Sequence, residues 1–282
     1  MPIQNSFGAL RSVYVRPPRV ADLAAWHEFG WHAAPDPGRA EDEHAALRAE
    51  LERAGAEVVS DATPVPSDPD AIYAYDPTLP TDRGTILLRP GKASRRREPD
   101  VMGADLLAAG RPMLGGLEHP ATAEGGDMFW LDARTLLIGR GYRTHDEGIH
   151  QLRALLGPEV DVVVFDLPHA LGPGSCLHLM SFISPLDRDL AVAFLPMMPV
   201  RLVELLRDRG VTLVEVPEEE LGSQGPNVLA LAPRVALALD SNPETRRRME
   251  RAGVDVRTFV GEEISRKGDG GPTCLTRPLD RG

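Results

Sequence analysis

The sequence predicts an α/β fold: five helix–strand–hairpin repeats arranged as a five-bladed α/β propeller with pseudo-fivefold symmetry. Three observations lead there. A helix–glycine–strand junction recurs at Gly55, Gly110, Gly157, Gly210 and Gly253. The interval between junctions stays near ~50 residues, the signature of repeated supersecondary units. A candidate hairpin follows each junction, which an open sheet of alternating strands and helices would not require.

The junctions read ERAGAEVV, LLAAGRPML, ALLGPEVDVVVF, LRDRGVTLVEV and ERAGVDVRTF. In each, an amphipathic helix stops at a glycine able to take the left-handed C-cap conformation, and short β-branched runs follow most of them. The hairpin candidates are IYAYDPTLPTDRGTILLRP, MFWLDARTLLIGR, LHLMSFISPLDRDLAVAFLP, NVLALAPRVALALD and PTCLTRPL. The last lacks a return strand, and SVYVRPP near the N-terminus is expected to supply it by closing the ring. Closure leaves few exposed sheet edges, which favours a ring over a row. One helix is expected to start at Pro243, with Asn242 as its N-cap. Residues 16–40 carry Pro, Trp and His without periodicity and read as a long loop, of the kind that covers sites. No linker divides the chain, so residues 1–282 are expected to form a single catalytic domain.

Composition narrows the function. The apolar content of 42% and charged content of 26% are those of a soluble globular protein. The formal net charge is −11 and the pI about 5.2, a balance that repels phosphate backbones, so no nucleic-acid partner is expected. No basic stretch precedes an apolar run at the N-terminus, and no apolar run approaches the ~18 residues of a bilayer span. A cytoplasmic location without membrane attachment is expected. The sequence allows a homodimer. Two cysteines, Cys176 and Cys274, are too few for a disulfide scaffold or a structural zinc site.

The repeats place chemistry at one register. Asp76, His178 and Cys274 each lie 21 residues after their junction glycine. In a ring of units such positions converge near the axis. The second unit offers Glu124 and Asp127 in EGGD, and the fourth offers Asn227 in GPNV. A cytosolic cysteine is more often a small core residue. Cys274 lies instead in polar, Gly-rich GGPTCLTRP, which favours a site. Cys176, before Leu177, reads as part of a buried strand. His178, in CLHLMSF, gains a functional reading only from its register with Cys274. The other seven histidines show no ligand spacing and read as surface residues, so no metal is expected. The run SRRRE (Ser94 to Glu98) reads as a solvated face, and Asp76 before Pro77 would alone be a turn carboxylate.

Taken in order, DAIYAYDPTLPTDRGTILLRPGKASRRRE, EGGD, GRGYRT, LHLMSFIS and PTCLT resemble the guanidino-group modifying superfamily, and within it the dimethylarginine dimethylaminohydrolases. The resemblance implies the propeller fold, a small guanidino substrate and no cofactor or metal. By motif it implies Cys274 as nucleophile and His178 as general acid/base, with Glu124 and Asp76 holding the guanidinium. It further implies Asp70 on the substrate α-ammonium, and Arg95 (or Arg96, in an ambiguous run) with Arg143 on the α-carboxylate. Deiminases of the superfamily usually carry an aspartate where this chain has Met180. Dimethylarginine hydrolases lack it but often carry a glutamate where this chain has Tyr75. Three activities follow as expectations: hydrolysis of Nω-methylated arginine to citrulline, deimination or amidino transfer on arginine itself, and non-catalytic arginine binding.

Overall fold

The computed structural model describes residues 3–60 and 63–282. Strand β1 (Leu10–Val15) leads through a helical turn α1 (Val20–Leu23) to helix α2 (Pro37–Arg53) and β2 (Glu57–Ser60). The hairpin β3–β4 (Thr78–Thr81, Gly84–Leu87), helix α3 (Glu98–Ala108) and β5 (Met113–Gly116) follow. The same order returns as β6–β7 (Met128–Asp132, Thr135–Arg140), α4 (Asp146–Leu156) and β8 (Asp161–Asp166). It returns as β9–β10 (Ile183–Asp187, Leu190–Ala193), α5 (Val200–Asp208) and β11 (Thr212–Glu215). The last units are β12–β13 (Leu229–Ala232, Val235–Leu239), α6 (Pro243–Arg251), β14 (Asp255–Phe259) and β15 (Thr276–Arg281).

These strands make five three-stranded sheets, the five units expected of the propeller. In each sheet an antiparallel pair is joined by a third strand parallel to the second, as in β3–β4–β5. The N-terminal strand closes the ring as expected: β1 pairs antiparallel with β15 and parallel with β2. The sheets are offset from the sequence repeat by part of a unit. The strand after each junction glycine joins the hairpin before it, because a β–α–β crossover returns the chain beside the strand it left. The hairpin that follows then opens the next sheet. All five junction glycines have positive φ, between +74° and +88°. The leading strands β9 and β12, and β15 and β3, pack beside one another at the centre. Tyr75, Phe129, Phe182, Ile183 and Val228 fill the space there as part of one apolar cluster.

Two local expectations are corrected. Asn242 stands at the N-cap of α6, but its side chain makes no cap bond. It bonds to Ser223 instead, and Glu220 accepts the first helix N–H groups, from Glu244 and Thr245 at 2.7 Å each. A carboxylate suits the positive helix end better than a neutral amide, and this one arrives from a separate turn. His44 is not a surface histidine: it is buried on the inward stripe of α2 with Ala40, Leu47 and Leu51. Burial, with the charge of Arg48 in support, lowers its pKa to about 4 and keeps it neutral.

Candidate active site

Asp76, Glu124, His178, Asn227 and Cys274 each stand shortly before the leading strand of a sheet, namely β3, β6, β9, β12 and β15. The pseudo-symmetry therefore brings one polar side chain from each unit to the same end of the ring. Asp76, His178, Asn227 and Cys274 line one cavity of about 1240 Å³. Glu124 is fully buried and touches His178.

The His178–Glu124 contact dominates the electrostatics. Nε2 of His178 donates to Glu124 Oε2 at 2.6 Å. Glu124 Oε1 accepts from the backbone N–H of Gly91 at 2.8 Å and of Lys92 at 3.2 Å, and from Arg143 Nη1 at 3.3 Å. Burial alone would push Glu124 up, but the hydrogen bond and charge of His178, with Arg143 and Arg95, hold it well below the usual carboxylate range. Burial likewise works against the imidazolium of His178, yet Cys176, Asp76 and Asp127 outweigh it and hold its pKa well above the ordinary value. The pair is a buried carboxylate–imidazolium couple at neutral pH. EGGD supplies more than a turn. Gly126 donates its N–H to Asp76 Oδ1 at 2.8 Å, and a Cβ there would lie 2.5 Å from His178 Nδ1. Only glycine lets the backbone pass so close.

Asp76 Oδ2 accepts from Arg95 Nη1 at 2.6 Å. Arg95 lies inward, contrary to the reading of its run as a solvated face. It is 4% exposed, and its Nε and Nη2 bond Glu98 at 2.6 and 2.8 Å. Burial raises the Glu98 pKa to about 8 despite the pull of Arg95, so burying this pair carries an electrostatic cost. Arg95 lines the cavity with its guanidinium already committed to two carboxylates, and Arg96 is exposed. Arg143 lines the cavity and, among the described residues, commits only Nη1, to Glu124. Asp70 is buried, with Oδ1 on Trp31 Nε1 at 2.8 Å and Oδ2 on Lys92 Nζ at 2.5 Å. The loop expected over residues 16–40 places Phe29, Gly30, Trp31 and His32 in the cavity wall.

Two residues to which the sequence assigned no chemical role stand beside the reactive groups. Asn227 Nδ2 donates to Cys274 Sγ at 3.0 Å, while its Oδ1 accepts from Thr273 N at 3.0 Å. The register hinted at Asn227, since it is the fourth unit's only polar group there. Cys176 is not in a buried strand. It is exposed in the irregular segment before β9, its Sγ 3.7 Å from His178 Nδ1, and it lines the same cavity as Cys274. The two glycines and the proline of LGPGSC prevent a strand from forming there.

Cys274 itself is partly exposed. Burial and the charge of Asp76 raise its pKa to about 11, against the lowering effect of Asn227 and His178. Cys274 is therefore a thiol at neutral pH in these surroundings. Asn227→Ala should move the pH profile of Cys274 alkylation to higher pH and slow turnover roughly tenfold, because the thiolate loses its donor. An unchanged alkylation profile would limit Asn227 to a role in folding. Asp76, Glu124 and His178 also bring donor atoms within 4.8 Å of one another, a cluster dense enough for a metal ion. Their facing atoms are already bonded to Arg95, Gly126 N and each other, so an ion would have to displace those bonds.

The arginine deiminase family model matches residues 64–207 and 197–281. The chain belongs to this family. Arginine deiminase of Mycobacterium avium (strain 104) is 26% identical over 76% of this chain and 60% of that protein. The N(G),N(G)-dimethylarginine dimethylaminohydrolase of Pseudomonas aeruginosa is 28% identical over 86% of this chain and 89% of that protein. The chain thus spans 60% of the M. avium arginine deiminase and nearly all of the Pseudomonas enzyme. Among solved structures, the family fold recurs in DDAH from Pseudomonas aeruginosa complexed with citrulline, with TM-score 0.78, 25% identity, and coverage of 95% of this chain and 98% of that one. The N-terminal domain of ArgZ, a cyanobacterial arginine dihydrolase, shares the fold at TM-score 0.79 and 20% identity, covering 96% of this chain and 97% of that one. Among the described residues no helix is long and apolar enough to cross a membrane.

Proposed function

We propose that this chain hydrolyses the guanidino group of an Nω-methylated arginine-type substrate through a covalent intermediate on Cys274. The products are methylamine or dimethylamine and a ureido compound, citrulline where the skeleton is arginine. The observation that carries the reading is the convergence of a thiol, a carboxylate-paired imidazolium and Asp76 on one cavity.

A guanidinium is a poor electrophile because resonance spreads its charge. Carboxylates beside it fix its plane and concentrate positive charge at the central carbon. Asp76, which lines the cavity, takes that role, while Glu124 acts through its bond to His178. Cationic substrate also offsets the negative charge of Asp76 that raises the Cys274 pKa. Binding therefore lowers that pKa, and the thiol proton passes to solvent. The thiolate attacks the guanidinium carbon. His178, an imidazolium at rest, protonates the departing amine as its C–N bond breaks, leaving an S-alkylthiouronium. The neutral imidazole then takes a proton from water as that water attacks the same carbon. Collapse expels the Cys274 thiolate and frees the ureido product. The sequence needs neither metal nor organic cofactor, and cytoplasmic action as a monomer or homodimer fits it.

The methyl preference rests on the cavity wall. Met180 occupies the position of the deiminase aspartate and lines the cavity with Tyr75 and Phe182. A carboxylate there would need an N–H that a dimethylated nitrogen lacks, at a cost of about 1–3 kcal/mol when unpaired. An apolar wall gains up to about 0.8 kcal/mol per buried methyl. The Tyr75 ring also stacks on Arg277, 3.7 Å from guanidinium carbon to ring centroid, which holds it in place in the wall. The test compares kcat/KM for dimethylated, monomethylated and unmodified guanidines on one carbon skeleton at one pH. The methylated forms should lead by one to two decades. A lead for the unmodified guanidine would replace this reading with deimination.

A further inference from the structure

The Lys92 ammonium sits in a cage built for an alkylammonium. Its Nζ lies 2.5 Å from Asp70 Oδ2 and 2.7 Å from the Phe29 carbonyl oxygen. The Phe29 ring lies beneath it, 4.8 Å from Nζ to the ring centroid. Carboxylate, carbonyl and aromatic face are the groups that recognise a primary ammonium. Both Asp70 oxygens already hold a donor, since Oδ1 accepts from Trp31 Nε1 at 2.8 Å. Lys92, Asp70 and Phe29 line the same cavity as Cys274 and His178. The Asp70 carboxylate, which the family resemblance would give to a substrate's α-ammonium, is thus filled from within the chain.

Arg143 stands next to Lys92. A Cβ on Gly91 would lie 3.0 Å from the Arg143 Cα, so the two backbone segments are in contact. Arg143 Nη1 contacts Glu124 at 3.3 Å, whereas its Nε and Nη2 make no protein hydrogen bond among the described residues. A guanidinium fork with donors to spare inside a cavity suits a carboxylate.

We infer that the substrate is an ω-guanidino carboxylic acid without an α-ammonium, whose carboxylate meets Arg143 while Lys92 fills the ammonium cage. The inference rests on the guanidino-hydrolase reading for the reacting end and narrows the other end. An α-amino acid would have to bring a second cation beside the Lys92 ammonium or evict it. Either raises the energy of the bound state relative to the des-amino compound.

The test uses the full chain with 5-guanidinopentanoate, arginine and agmatine, and the Nω-methylated forms of the first two. Wild-type kcat/KM should favour the pentanoate skeleton over arginine by about 10²-fold, with agmatine weakest because it carries the ammonium and no carboxylate. In Lys92→Met the cage is vacant, so arginine should gain at least tenfold relative to the pentanoate. Arginine equal to or better than the pentanoate in the wild type overturns the inference, as does an unchanged ranking in Lys92→Met. Calorimetric binding of 5-ureidopentanoate and citrulline reads the same preference without turnover. Tighter ureidopentanoate binding by a chain that hydrolyses no guanidine would sink the hydrolase reading and keep this one. Equal binding of the two would do the reverse.

Discussion

Cys274→Ser is expected to reduce guanidine hydrolysis by at least ~10³-fold with no change in the thermal unfolding midpoint, because a serine hydroxyl with no adjacent base is a far weaker nucleophile. The replacement is nearly isosteric, and Asn227 Nδ2 can donate to an oxygen as it does to Sγ. A chloroacetamidine probe should label Cys274 in the wild type. Cys176 is a demanding control, since it lines the same cavity and is the more exposed thiol. The two differ in their charged surroundings. Cys274 has a pKa raised to about 11 by burial and Asp76, so a neutral alkylating reagent should modify it faster as pH rises toward that value. A saturating guanidinium ligand that leaves the sulfur accessible should move the curve to lower pH by offsetting Asp76. Near-normal turnover by Cys274→Ser, or probe adducts found only on Cys176, would transfer the nucleophile's role away from Cys274.

Glu124→Gln should cost at least ~10²-fold in turnover and change its pH dependence. The Glu124 carboxylate accepts from His178 Nε2 at 2.6 Å and so favours the imidazolium alongside Cys176, Asp76 and Asp127, and the amide removes that one negative charge while preserving shape. His178 then falls toward the pKa that burial dictates. The limb of the rate profile that reports loss of the imidazolium should therefore move to lower pH. Stability follows with a definite sign. Glu124, with a lowered pKa, contributes stability above its ordinary value of 4.5 and loses it as pH falls through the folded value. His178, with a raised pKa, contributes fully below its ordinary value of 6.5 and loses that as pH rises through the folded value. The wild type should thus exceed Glu124→Gln in melting temperature most between about pH 4.5 and 6.5. Leaving one partner of a buried pair charged costs about 3–5 kcal/mol, and the variant avoids most of this by deprotonating His178. A pH profile that does not move would mean that Glu124 only holds the Gly91 and Lys92 backbone.

The sequence by itself determined the repetition and the register. Helix periodicity, a left-handed glycine at each helix end and a hairpin after it are local features, expressed within a dozen residues, so five units and the closing strand at Leu10–Val15 were legible before any contact was known. The shared position of Asp76, His178 and Cys274 follows from that register alone. Only the tertiary structure decided how charges are shared between units. Arg95 turns inward because Asp76 and Glu98 wait there, and nothing in SRRRE marks one arginine from the next. Cys176 faces His178 because LGPGSC breaks the strand its apolar neighbours suggested. Asn227 meets a sulfur 47 positions along the chain, and Lys92 meets an aspartate 22 positions back. Such pairings follow from the relative placement of separate sheets, and no local pattern of residues encodes them.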